Sequence, residues 1–126
     1  MNVKIDTKEK FTVITPELAS FTANMTGEMS NLLLAYIQKD IPHIVFNMKL
    51  VQHIDPEAGE TLASIQQKFY ESNSSFVVCE LQAAVEKKLN DAALLEVMNT
   101  TPSESEAWDI VQMEEIEREL LNGQWE

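Results

Sequence analysis

Chemistry needs particular residue types brought close together, and this sequence supplies few. Its two histidines, His43 and His53, begin and end one segment, with no helical His pair beside them. Its one cysteine, Cys79, stands in an apolar run. A metal site needs converging His, Cys or carboxylate ligands, and this spacing provides no such set. The histidines therefore read as surface or packed side chains, and Cys79 as a buried, unreactive thiol. A nucleophilic site needs an activated Ser or Cys beside a base, and no Gly-x-Ser-x-Gly elbow is present. The glycines Gly27, Gly59 and Gly123 make no phosphate-cradling loop. Carboxylates abound, yet nothing singles out a pair for acid–base work. No catalytic residue, metal ligand or cofactor is expected.

One stretch still stands out, HIVFNMKLVQHIDPEAGETL from His43 to Leu62. It reads as a buried strand, a short connection and a helix start. His43 to Met48 is rich in apolar and β-branched residues and follows Pro42, which stops the preceding helix. Asp55 is placed to accept hydrogen bonds from the first-turn N–H groups, and Pro56 fits the first helical position, where no N–H is needed. Leu62, Ile65 and Phe69 recur behind that cap at helical spacing. A loop feeding a helix N-terminus at the end of a central strand is where α/β sheets place their sites. Asp55 and Glu57 also suit a first turn for electrostatic reasons alone, each favouring the helix dipole by ~0.3–1 kcal/mol.

The surrounding elements follow in order. Val3 and Ile5 alternate with polar residues in a half-exposed strand over Met1 to Thr7; Lys8-Glu9-Lys10 is a polar turn; Phe11 to Thr15 is a second strand, making a hairpin that Pro16 ends. From Thr22 to Lys39, Met25, Met29, Leu32, Leu33, Tyr36 and Ile37 form one helical stripe, and its methionines read as core. Helix is expected from Asp55 to about Ser72, strand over Ser75 to Glu80, and a short helix over Leu81 to Leu89. Leu94 to Met98 suits a last strand, with helix left open. Thr101-Pro102-Ser103-Glu104 predicts a helix capped by Thr101 and running to about Leu121, with Gly123 as its stop and Asn122 to Glu126 as a frayed tail. Ile110, Met113, Glu117 and Leu120 lie near one line of that helix, flanked by Ile116 and Leu121.

The composition narrows the function classes. The 126 residues suffice for one domain and carry a net charge of −12, from 21 acidic and 9 basic residues. That balance opposes nucleic-acid binding, which needs clustered Lys and Arg, and opposes docking on anionic lipid. It suits a basic protein partner, and equally suits simple solubility. No run approaches a membrane span and no signal peptide is evident, so a soluble, cytoplasmic chain is expected. A single cysteine agrees with a reducing compartment.

The central strand Ile44-Val45-Phe46-Asn47-Met48, then six residues, then Asp55 at a helix start resembles the signature of the STAS domain, the fold of bacterial anti-sigma factor antagonists. A further apolar strand, Ser75 to Cys79, follows at the family's spacing, and the resemblance covers residues 3 to 121. It implies an α/β fold over 1–126. A β-hairpin precedes alternating helices and strands, in one mostly parallel sheet of about four to five strands with about four helices. Relative to the usual family loop, Pro16 to Phe21 is a small insertion, either neutral or a contact loop. In phospho-regulated members a Ser of an Asp-Ser-Ser-Gly loop accepts phosphate from a partner kinase. Matching Asp55 without gaps puts Pro56 and Glu57 at the Ser positions and Ala58 at the Gly; matching Gly59 to the Gly puts Glu57 and Ala58 there instead. Neither supplies a hydroxyl. The resemblance implies a non-enzymatic module whose partner is an anti-sigma factor or kinase-like ATPase. Its contact surface is expected at His53, Asp55, Pro56, Glu57, Ala58 and Gly59. The alternatives are a STAS adaptor subunit of a transport or signalling complex, or a small-molecule sensor using a pocket near the same loop.

Overall fold

The computed structural model describes residues 2–123. Strands β1 (Val3–Thr7) and β2 (Thr12–Pro16) form the expected hairpin, closed where the Lys8 amide donates to the Phe11 carbonyl at 2.8 Å. Beyond it lie β3 (Ser20–Phe21), helix α1 (Thr26–Leu34), β4 (Ile44–Asn47) and β5 (His53–Ile54). The chain continues through α2 (Pro56–Glu71), β6 (Phe76–Cys79), α3 (Ala83–Asp91), β7 (Thr100–Thr101) and α4 (Glu104–Gly123). Five strands make one sheet in the order β1-β2-β4-β6-β7, in which only the β1–β2 pair is antiparallel. β3 and β5 form a separate two-stranded parallel ladder.

Alternation along the strands divides the core between the two faces of the sheet. Ile14, Ile44, Phe46, Phe76 and Val78 face α1, α2 and α3, where Met29, Leu33, Leu62, Ile65 and Phe69 cover them. Val13, Val45, Val77 and Cys79 face α4, which covers them with Ala107 and Val111 and, at the margin, Trp108 and Ile110. Trp108 also packs on Phe11, with centroids 5.4 Å apart, and lies under the Lys8 ammonium.

Three elements depart from expectation. The helix expected over 22–39 is α1 flanked by two 3-10 turns, Ala23–Met25 and Ala35–Gln38. Over Leu94–Met98, which suits a strand with helix left open, the chain forms a 3-10 turn, Leu95–Val97, and pairing begins only at Thr100. The cause lies on α2. The Gln66 amide donates to the Val97 carbonyl at 3.0 Å and accepts from the Asn99 amide at 2.7 Å, holding the turn open until the chain reaches β6. The α4 cap also shifts. Pro102 keeps Thr101 extended, and Thr101 pairs with Cys79 in the sheet. Ser103 takes over as the cap: its Oγ accepts the Glu106 amide at 3.3 Å and donates to Glu106 Oε1 at 3.0 Å, a side-chain cap two residues late. α4 continues through Asn122 and Gly123, past the expected end near Leu121, so these two residues are helical rather than a stop and a frayed tail; the rest of the expected tail lies outside the described residues.

Candidate functional site

The β4–α2 connection emerges at the carboxyl edge of the sheet and is tied down along its length. Asn47, the last residue of β4, is buried; its Oδ1 accepts the Lys49 amide at 2.9 Å. Its Nδ2 donates to Glu80 at 2.9 Å and Glu104 at 3.0 Å, joining the ends of β4, β6 and α4. Glu80 adopts φ 55°, a left-handed conformation that a non-glycine residue holds only when its surroundings fix it. Further on, the Gln52 and His53 amides both donate to the Ala19 carbonyl, and β5 pairs in parallel with β3. The segment 16–21 is therefore a brace for the loop.

Asp55 occupies the N-cap position of α2 in extended conformation, but its carboxylate makes no capping bond to that helix. Oδ2 accepts the Ala23 amide at 2.9 Å instead. The expectation of a simple α2 cap is corrected: the Asp55 amide is already bonded to the Phe21 carbonyl, which aims the side chain at the start of the 3-10 turn leading into α1. One carboxylate thus links the entrances of two helices. Of the six residues expected at the site, His53, Pro56 and Glu57 are exposed, Asp55 is half-buried, and Ala58 and Gly59 are buried. A Cβ on Gly59 would lie 2.7 Å from Leu89 Cδ2 and 2.9 Å from Leu94 Cδ1, so the floor beneath the loop is closed by α3 and the turn after it. The Thr61 hydroxyl donates to the Glu57 carbonyl at 3.0 Å.

A second polar assembly, unforeseen from the sequence, lies at the opposite edge of the sheet. Ser75 Oγ donates to Glu114 at 2.6 Å and accepts from Arg118 Nη2 at 2.8 Å. Tyr70 OH lies 2.7 Å from both Glu114 oxygens, and Asn99 Nδ2 donates to Tyr70 OH at 2.8 Å. The Ser75 amide donates to His43 Nδ1 at 3.0 Å, while His43 Nε2 lies 2.8 Å from Glu115, which also pairs with Arg118 at 3.3 Å. These contacts clasp α4 to β4, β6 and the end of α2. Burial, then Glu114, pushes the Tyr70 phenol upward, so it remains a donor at neutral pH. Burial also pushes the Cys79 thiol up to about 12, leaving it protonated and unreactive near neutrality.

A family model for the STAS domain matches residues 2–107. The chain belongs to the STAS domain family. No curated protein matches the sequence. Among solved structures, an anti-sigma factor antagonist from Mycobacterium paratuberculosis has a TM-score of 0.76 at 14% identity, over 88% of this chain and 93% of that one. An anti-sigma-factor antagonist domain protein from Planctomyces limnophilus has a TM-score of 0.74 at 17% identity, over 87% and 97%. A murine solute carrier anion transporter matches with a TM-score of 0.66 at 14% identity, over 82% of this chain but 18% of the transporter. These likenesses establish a shared fold.

In this STAS domain the clasp carries a pH dependence. Burial lowers the His43 pKa below its ordinary 6.5; Glu115 opposes that shift and Arg118 adds to it. With Nδ1 accepting from the Ser75 amide, the ring is the neutral Nε2–H tautomer, and protonating Nδ1 breaks that bond. The unfolded chain then binds more protons than the folded one between the lowered pKa and 6.5, so stability falls as pH drops through that window. Denaturation midpoints measured from pH 7.5 to 5 are expected to decline, and His43→Gln is expected to flatten the decline. An equal slope in both proteins would assign the effect to the carboxylates.

Proposed function

We propose that this STAS domain is a non-enzymatic regulatory module that acts by binding another protein. Its contact surface is the loop around His53, Pro56 and Glu57, continued along the exposed side of α2. The observation that carries this reading is the closed, braced loop: Ala58 and Gly59 are sunk against Leu89 and Leu94, while Asp55 and the β3–β5 ladder fix the backbone. A preformed surface whose floor beneath Gly59 is filled by Leu89 and Leu94 suits a protein better than a small ligand, because little ordering cost remains on association. The partner we favour is an anti-sigma factor of the kinase-like ATPase class, held or released in competition with a sigma factor. The likeness to a domain within an anion transporter favours a second reading, an adaptor in a transport assembly.

We further propose that the family's phosphate switch is lost here. Neither alignment of the loop offers a hydroxyl, and Glu57 supplies one permanent negative charge where a phosphate would supply close to two. The nearest helical hydroxyl, Thr61, is a turn further on and already bonded to Glu57. The test begins with a pull-down from source cells, partner identification by mass spectrometry and phosphosite mapping of the recovered chain. The expected result is a protein partner and no phosphate on Thr61 or Ser64; stoichiometric phosphate at either would overturn the lost switch. Glu57→Lys is then expected to weaken partner binding by about tenfold or more, as charge reversal at an interface does, and Glu57→Ala by less. Unchanged affinity in both variants removes Glu57 from the site.

A further inference from the structure

The outer face of α4 carries a row of apolar residues that this chain leaves uncovered. Met113 and Ile116 are 55% exposed, Leu120 62% and Leu121 60%. At 100° per residue, Met113, Ile116 and Leu120 fall within about 60° of arc, opposite the buried Ala107 and Val111, with Leu121 about 80° further round from Met113, toward Ala107. The row is about 12 Å long at the helical rise, the reach of two turns of a facing helix. Beside Ile116 a depression of about 200 Å³ opens between α4 and the β1–β2 turn, lined also by Gln112, Glu119 and Lys10. A soluble domain ordinarily keeps contiguous apolar surface small, so a row beside a depression marks a contact surface.

The charges around the row select its occupant. Asp109, Glu117 and Glu119 are exposed along it, and among the described residues no Lys or Arg pairs with any of them. From residue 103 onward there are eight acidic residues and a single basic one, Arg118, which is turned inward to Ser75 and Glu115. Among the described residues lining the depression, Lys10 is the one cation, beside Glu115 and Glu119. A second copy of this chain would set one acidic rim against another, each on a chain of net charge −12. Anionic lipid headgroups would meet the same repulsion.

We propose that the Met113–Leu121 face of α4 is a second interaction surface, on the far side of the sheet from the braced loop, that receives a basic amphipathic helix of a protein partner. The partner's apolar side chains cover Met113, Ile116 and Leu120, and its Lys or Arg residues meet Asp109, Glu117 and Glu119. The proposal stands apart from the loop reading, because no residue is shared between the two surfaces.

The test uses the full chain and a fluorescein-labelled Leu/Lys peptide of about 18 residues, patterned at helical spacing. Two control peptides accompany it: an isomer with scattered leucines, and a Leu/Glu counterpart. Anisotropy is expected to show micromolar binding of the patterned basic peptide that weakens with added salt, and at least about tenfold weaker binding of either control. Ile116→Ser/Leu120→Ser should weaken binding by about tenfold or more, as should Glu117→Lys/Glu119→Lys. The charge-matched Glu86→Lys/Glu96→Lys, on the other face of the sheet, should retain it. All these side chains are exposed, and unchanged circular dichroism would confirm that the variants fold. Absence of binding would overturn the proposal, as would equal binding of the scattered isomer or indifference to the α4 variants. Light scattering that found a dimer dissolved by Ile116→Ser/Leu120→Ser would assign the face to a second copy instead and equally overturn it.

Discussion

Phe76→Ala is expected to remove ~3–5 kcal/mol of stability, the cost of emptying a large aromatic site in a well-packed core. Phe76 lies on β6, is completely buried, and fills the space between Phe46 and Phe69, whose ring centroids are 5.8 Å and 5.1 Å away. Removing it deletes both ring contacts and leaves a cavity between sheet and α2, where the backbones are held too firmly for full collapse. Domains of this size are typically stable by about 5–15 kcal/mol, so the variant should lose a large share of its stability and unfold at a much lower denaturant midpoint. Phe76→Leu retains most of the volume and should cost less than about 2 kcal/mol. Urea denaturation of all three proteins would check the values, with an unchanged m-value confirming that only stability moved. A loss below about 1.5 kcal/mol for the alanine variant would mean that α2 settles onto the sheet without the ring. Because α2 begins at the braced loop, that outcome would also weaken the account of how the loop is held.

Much of this fold was legible because it is written in local patterns. Val3 and Ile5 alternating, the Phe11–Thr15 run and the intervening Lys8-Glu9-Lys10 turn suffice for a hairpin. Ile44–Phe46 and Phe76–Val78 are continuous apolar runs, as parallel strands covered on both faces must be, and Leu62, Ile65 and Phe69 mark the face of α2 that covers one of them. The failures lie where a distant group overrides the local signal. Leu94 to Met98 has strand-like residues, yet Gln66, some thirty residues earlier, fixes the turn. Thr101 has a cap's sequence context, yet β6 recruits it into the sheet and passes the cap to Ser103. The line of Ile110, Met113, Glu117 and Leu120 on α4 was visible, but periodicity cannot say which side of a helix is covered. The buried side is Ala107 and Val111, and the stronger apolar row faces water.

The loop was half legible for a related reason. Position in a strand–loop–helix unit picked out His53 to Gly59, and the Pro56 helix start is where it was expected. Sequence spacing does not report side-chain direction, so Ala58 and Gly59 could not be told from their exposed neighbours. Nor could it show Asp55 reaching to Ala23, thirty-two residues away in the chain. The clasp was almost invisible: His43, Tyr70, Ser75, Asn99, Glu114 and Arg118 come from five separate segments. Its one trace in the sequence was Arg118, a lone cation in an acidic helix.

Glu114→Ala should therefore expose how α4 is held, at an expected cost of ~2–4 kcal/mol. The Glu114 carboxylate accepts from Ser75 Oγ at 2.6 Å and Tyr70 OH at 2.7 Å, with Asn99 Nδ2 at 3.3 Å. Alanine leaves those donors without an acceptor and leaves Arg118 with less opposing charge beside the buried Ser75 hydroxyl. Water reaches part of this edge and can replace some bonds, so the lower half of that range is the better expectation. Glu114→Gln keeps the shape and one strong acceptor but not the charge, and should cost roughly half as much. Tyr70→Phe removes one donor and should cost about 1 kcal/mol. If the contacts act as a unit, the Glu114→Ala/Tyr70→Phe double variant will fall short of the summed losses by about 0.5–3 kcal/mol. Additive losses would mean that Glu114 and Tyr70 stabilise the domain independently and that there is no clasp. Amide hydrogen exchange separates a local from a global consequence. The apolar contacts of Ala107 and Val111 hold the first half of α4, so Glu114→Ala should speed exchange chiefly from residue 112 onward. Uniform acceleration through the sheet would show instead that the clasp supports the whole domain.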